Sequence, residues 1–171
     1  MKLRRKLIVA AALLVAVFVI GGPAAHAAAA AAAVRTNIDV DCRCTDPVGK
    51  SLCTAFKQKV HDSVGYELVG DTGGFGVGVH FSCVDIWQGI DNQLVGRMSA
   101  VSVAFTIYSD KLPGEVYEDA SVFRVGRDAV PEMSGQILAA LGQIINTNAK
   151  FFDSMRAVAG AGAAPSAATS P

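Results

Sequence analysis

Thr36-Asn-Ile-Asp-Val-Asp-Cys-Arg-Cys44, running straight into Thr45-Asp-Pro-Val-Gly-Lys-Ser-Leu-Cys53, is the stretch that decides the fold. In its first half Ile38, Val40, Cys42 and Cys44 alternate with Asn37, Asp39, Asp41 and Arg43. Successive side chains on a strand point to opposite faces, so this reads as a half-buried strand with one apolar face. Asp46-Pro47 stops it. The aspartate is a natural N-cap, and proline fits the first helical position because its missing N–H has no partner to lose there. Val48, Leu52, Phe56 and Val60 then recur along one side of a helix, flanked by Cys53 and Ala55, while Lys50, Lys57 and Lys59 face solvent. Gly65 suits the end of that helix, and Tyr66 to Val69 reads as a short strand.

Downstream, an Asp71-Thr-Gly-Gly turn precedes a strand in which Val77, Val79, Phe81 and Cys83 alternate with Gly78, His80 and Ser82. A polar loop around Gly89 to Asn92 leads to another, with Val101, Val103, Phe105 and Ile107 opposite Ser102, Ala104, Thr106 and Tyr108. Pro113-Gly114 marks a turn before a less regular strand from Val116 to Val125. Asp128 and Pro131 open a second helix, with Met133, Ile137, Leu141, Ile144 and Ile145 on its apolar side. It is expected to end near Asn146 or Asn148, with an extension through Phe151 and Phe152. This order predicts an α+β fold: a two-layer sandwich whose mostly antiparallel sheet of about four to five strands carries two helices on one face.

The chain begins with a basic segment, Met1-Lys-Leu-Arg-Arg-Lys6, followed by an apolar run from Leu7 to Ile20, the breakers Gly21, Gly22 and Pro23, and Ala25-His26-Ala27. That order is a secretory signal peptide over residues 1–27, and residues 28–33 form an alanine-rich linker. An uncleaved membrane anchor is the alternative, although the apolar run is short of the ~20 residues a spanning helix needs. The location implied is periplasmic or secreted, or else N-terminally anchored. The foldable domain is then 34–156, and residues 157–171, rich in Ala, Gly, Ser and Pro, are expected to be disordered. Four of the fifteen basic residues lie in the signal and none of the fifteen acidic ones does. The remaining chain therefore carries eleven basic against fifteen acidic residues, a net charge of −4. Such a charge argues against nucleic acid and against an anionic membrane surface, leaving membrane contact only through the signal or an uncleaved anchor.

Cys42, Cys44, Cys53 and Cys83 all follow the signal, and an even count in an exported chain reads first as disulfides. Cys-x-Cys is a poor chelating pair, so no metal site is expected. Cys42 and Cys44 share a strand face, and a bond between them would strain an extended strand. The helix folds back over the strand that feeds it, which favours Cys44–Cys53 with Cys42–Cys83. Cys42–Cys53 with Cys44–Cys83 stays open beside it.

No catalytic constellation is legible. Asp71-Thr72-Gly73 has the letters of an aspartic-protease loop but no second copy, and the glycine run from Gly73 opens a strand rather than a helix. His61 and Asp62 are helix neighbours that do not face each other, and His80 lies on a polar strand face. Trp87, at a strand end, is the candidate interface anchor. No cofactor is implied. The element order from Ile38 to Ile145 resembles the amino-terminal domain of the TolB family. The matching pieces are the first strand, Asp46-Pro-Val-Gly-Lys-Ser-Leu with its helix, the Ser63-Val-Gly-Tyr-Glu-Leu-Val turn, the strands His80 to Ile86 and Ala100 to Tyr108, and the closing helix from Pro131. The resemblance implies a protein-binding or scaffold role. The expectation is an exported envelope protein acting as a small binding or assembly module for an envelope protein; the alternative is a small secreted hydrolase or inhibitor. Mass analysis of the exported protein should find a chain beginning at Ala28, whereas one beginning at Met1 would make it an anchored protein.

Overall fold

In the computed structural model, which describes residues 35–70 and 74–161, the deciding stretch forms strand β1 (Thr36–Cys44) and helix α1 (Pro47–His61). Asp46 caps α1 as expected, its carboxylate accepting the Gly49 N–H at 2.8 Å. Then follow β2 (Tyr66–Val69), β3 (Phe75–Asp85), β4 (Met98–Ser109), β5 (Val116–Gly126), α2 (Val130–Thr147) and α3 (Ala149–Ala161). The sheet order is β2-β1-β3-β4-β5. The fold is α+β, with a mixed five-stranded sheet.

Two details depart from the expected layout. The sheet is half parallel: β1 runs parallel to β2 and β3, and only β3–β4 and β4–β5 are antiparallel. The crossover through α1 returns the chain to the end it started from, and alternation within a strand carries no information about that direction. The second departure is a third helix. The chain breaks at Asn148 and continues as α3 past Arg156 to Ala161, so residues 157–161 are helical where disorder was expected. Alanine is the strongest helix former, which explains the continuation. Residues 1–34, 71–73 and 162–171 lie outside the described residues, and with them the signal peptide, the linker, the Asp71-Thr72-Gly73 turn and the end of the tail. No helix of the described residues is long and apolar enough to cross a membrane.

The core lies between one sheet face and the helices. Ile38, Val40, Val77, Val79, Phe81, Val101, Val103, Phe105 and Ile107 supply the sheet side, and Leu52, Phe56 and Val60 of α1 with Ile137 and Leu141 of α2 the other. Phe56 and Phe81 meet across the layers with ring centroids 5.3 Å apart. Phe152 of α3 packs on Phe75 at 5.1 Å. Full burial of each such side chain is worth about 1.5–3 kcal/mol.

All four cysteines are in disulfides, but the pairing is Cys42–Cys53 and Cys44–Cys83, not the favoured Cys44–Cys53 with Cys42–Cys83. Register decides it. Cys44 stands directly opposite Cys83 in the β1–β3 pair, Cα atoms 4.4 Å apart, whereas Cys42 stands opposite Phe81. The place a Cys42 partner would need on β3 is filled by a core phenylalanine. Cys42 turns instead to Cys53 on α1, 6.3 Å away, within the range a disulfide spans.

The first turn of α1 rests on the second of these bonds. A Cβ at Gly49 would overlap Cys83 Cβ and lie 2.8 Å from Cys83 Sγ and 2.7 Å from Asp46 Oδ2. Gly135 of α2 is the contrast, where a Cβ would meet nothing nearer than the Lys59 ammonium at 3.9 Å. Alanine gains about 1 kcal/mol over glycine in a helix, but forcing a methyl group into a packed contact costs ~1–3 kcal/mol or more. Gly49→Ala should therefore lower the urea midpoint while Gly135→Ala holds or raises it. Equal effects of the two would mean that α1 does not lie against Cys83.

Candidate functional site

The helices cover one face of the sheet, and two features stand out elsewhere: a polar cluster on the opposite face and a loop at the end of β3.

The cluster gathers around His80. The alternation of β3 and β4 sends His80 and Thr106 to the face away from the core, and β1 contributes Asp41 opposite His80. His80 Nε2 lies 2.7 Å from Glu115 Oε2 and 3.0 Å from Thr106 Oγ1, and the Thr106 hydroxyl donates to the same Glu115 oxygen at 2.7 Å. Asp41 stands 3.8 Å from His80 Nδ1 and accepts from Arg43 Nε at 2.9 Å. Gly78 leaves room for this: a Cβ there would overlap the Thr106 hydroxyl and lie 2.8 Å from His80 Nε2. Converging groups at His80 are what a hydrolase would show, so their hydrogen bonds matter. A carboxylate only accepts, so Nε2 carries a proton aimed at Glu115 and is no base towards Thr106. The threonine proton also goes to Glu115, and Thr106 is buried. Every described cysteine is in a disulfide. The cluster therefore holds the Asp110–Glu115 turn onto the sheet, with the Thr106 hydroxyl committed to Glu115.

His61, contrary to expectation, does meet its neighbour: Nδ1 lies 3.3 Å from Asp62 Oδ1. Asp62 is the C-cap residue rather than an interior one, and the same carboxylate oxygen accepts from Gln58 Nε2 at 2.8 Å. Both side chains are largely in solvent, which leaves this pair little energy.

The second feature is the loop from Ile86 to Arg97, which carries Trp87. Its anchor is Asp85, a buried residue at the end of β3 whose two carboxylate oxygens accept from both ends of the loop: Oδ1 from the Trp87 N–H at 2.8 Å, Oδ2 from the Gly96 N–H. Charge-assisted bonds of this kind are the strong ones. The Trp87 carbonyl accepts from the N–H groups of Ile90 and Asp91, and Asp91 Oδ1 accepts from Gln93. From outside, Arg127 donates to the Gly96 carbonyl at 3.0 Å. Within this pinned loop Trp87 and Leu94 are half-buried, Ile90 is 74% exposed and Val95 45%. A single exposed apolar residue is ordinary. Two exposed ones, Ile90 and Val95, beside the half-buried Trp87 and Leu94 in a loop tied at both ends, form a preordered, partly apolar surface.

Trp87 is thus placed where an interface anchor could act. His80 and His61 are each engaged with carboxylates, and the four cysteines are paired in two disulfides. Asp85, Glu115 and Asp41 escaped the sequence reading, because nothing in the spacing of Asp85 from Gly96, or of His80 from Glu115, marks them as partners. The chain matches no protein-family model and no curated protein sequence.

Asp85→Asn should loosen the loop alone. The amide turns one acceptor into a donor facing an N–H, and losing a hydrogen bond to a charged group costs ~1.5–3 kcal/mol. Hydrogen exchange should rise at Trp87 and Gly96 while the amides of β3 and β4 stay protected. Unchanged exchange at both sites would show that Asp85 is not the clamp.

Proposed function

We propose that this is an exported binding or assembly module of the cell envelope that engages a partner protein through the Ile86–Arg97 loop. The observation that carries the reading is the pairing of order with exposure: Asp85 fixes both ends of a loop that leaves Ile90 and Val95 in solvent. A free apolar surface held in one conformation loses little further entropy on binding, so contact area converts more fully into affinity. Trp87 adds the residue type most often found as an anchor, and an anchor of that kind is worth about 2 kcal/mol or more, roughly 30-fold in affinity. The resemblance of its sequence pattern to TolB amino-terminal domains points by analogy to the same class of role. The disulfides agree with an oxidising compartment.

The test is a photo-crosslinking amino acid placed at Ile90 or Val95 in the exporting cell, with Gln58 on the exposed side of α1 as control. A discrete adduct is expected from the loop positions and none from Gln58, and Ile90→Asp should abolish the adduct formed from Val95. No adduct, or the same adducts from Gln58, would remove the loop as the binding surface.

A further inference from the structure

The two disulfides leave one Cys-x-Cys pair for different surroundings, and the difference assigns them different chemistry. β2 pairs with β1 only from Thr36 to Asp39, so among the described residues the Cys42 end of β1 has a neighbour on one side alone. Cys42 is exposed there, although its partner Cys53, on the buried side of α1, is 2% exposed. Cys44 and Cys83 are both buried. Gly49 closes over Cys83, and the buried carboxylate of Asp46 stands beside that glycine. An approaching thiolate therefore meets packed backbone and a negative charge at Cys44–Cys83, but solvent at Cys42.

We propose that Cys42–Cys53 is a thiol-exchange site and that Cys44–Cys83 is a permanent structural bond. The substrate class is a thiol, most effectively a dithiol. Its first thiolate attacks Sγ of Cys42, the exposed residue of the pair; a new sulfur–sulfur bond forms to Cys42 as the bond to Cys53 breaks, and the electron pair leaves on Cys53 Sγ, which takes a proton from solvent. The second thiolate of the reagent then attacks its own sulfur in the mixed disulfide and releases Cys42 as a thiolate. The dithiol ends as a disulfide and the protein as two thiols, a balanced two-electron exchange. Opening this bond unties α1 from the edge of β1. The helix keeps its place through Leu52, Phe56 and Val60 in the core and through Asp46 and Gly49 at its start, so the event is local. This inference is independent of the loop and of any partner that binds it.

Dithiothreitol without denaturant is the probe. Thiols released over time are blocked, the remaining disulfides are then reduced and given a second label, and mass spectrometry reads each cysteine. Cys42 and Cys53 should be released together, about tenfold or more faster than Cys44 and Cys83, since exchange follows access. No release, equal release of all four, earlier release of Cys44 and Cys83, or release of Cys42 with Cys83 would each overturn the proposal. A double variant, Cys42→Ser with Cys53→Ser, keeps only Cys44–Cys83 and should resist the same treatment. Its opening at the rate of the wild-type Cys42–Cys53 bond would overturn the proposal equally.

Discussion

The close seat of the α1 N-terminus on the Cys44–Cys83 bond is the constraint from which the rest of the architecture follows. Cys44 ends β1 opposite Cys83, and two residues later Asp46 turns the chain into α1. The Asp46 carboxylate accepts both from the helix, at the Gly49 N–H, and from β4, at the Ser99 hydroxyl 3.1 Å away. A single buried carboxylate thus joins the helix start to a strand two places across the sheet. Both its oxygens are satisfied, which is what makes its burial tolerable. With the helix start fixed, the stripe of Val48, Leu52, Phe56 and Val60 is laid along the apolar face of β1, β3 and β4. The register of β1 against β3 is held by the disulfide at one end and by their matched apolar positions along its length.

The same junction reaches the loop proposed as the binding surface. Asp85 lies two residues beyond Cys83 on β3 and in register with Ser99, the partner of Asp46. One carboxylate starts the helix and a second, at the same end of the sheet, clamps the loop that displays Trp87, Ile90 and Val95. Each sits just where a strand ends, and each accepts from main-chain N–H beyond it: Gly49 for Asp46, Trp87 and Gly96 for Asp85. A rigid scaffold carrying an ordered apolar loop is the usual division of labour between core and binding surface.

Much of this was open to reading in the chain. β1, β3 and β4 announce themselves by strict alternation, and Asp46-Pro47 gives the helix start because capping is a local effect. The direction of the strands was not open to reading, since a strand with one apolar face looks the same whichever way its neighbour runs. Neither was the disulfide pairing: Cys42 and Cys44 share a face, and only the register against β3 tells which of them meets Cys83 and which meets Phe81. Trp87 could be singled out from its residue type, but Asp85 could not, because its partner at Gly96 is fixed by the loop's path rather than by spacing. The His80 cluster divides in the same way. Alternation placed His80 and Thr106 on the polar face, while Glu115 arrives from a turn that no periodicity governs.

Because the pairing of the cysteines records the register of β1 on β3 and the seat of α1 at once, non-reducing peptide mapping is the most direct measurement. Trypsin cuts after Arg43, Lys50, Lys57 and Arg97, which leaves the four cysteines on four separate peptides. The structure requires the peptide ending at Arg43 to be joined to the one that begins at Ser51, and the peptide that begins at Cys44 to the one carrying Cys83. A peptide joining Cys42 to Cys83 would contradict the register and, with it, the placement of the helix and of the loop beyond it.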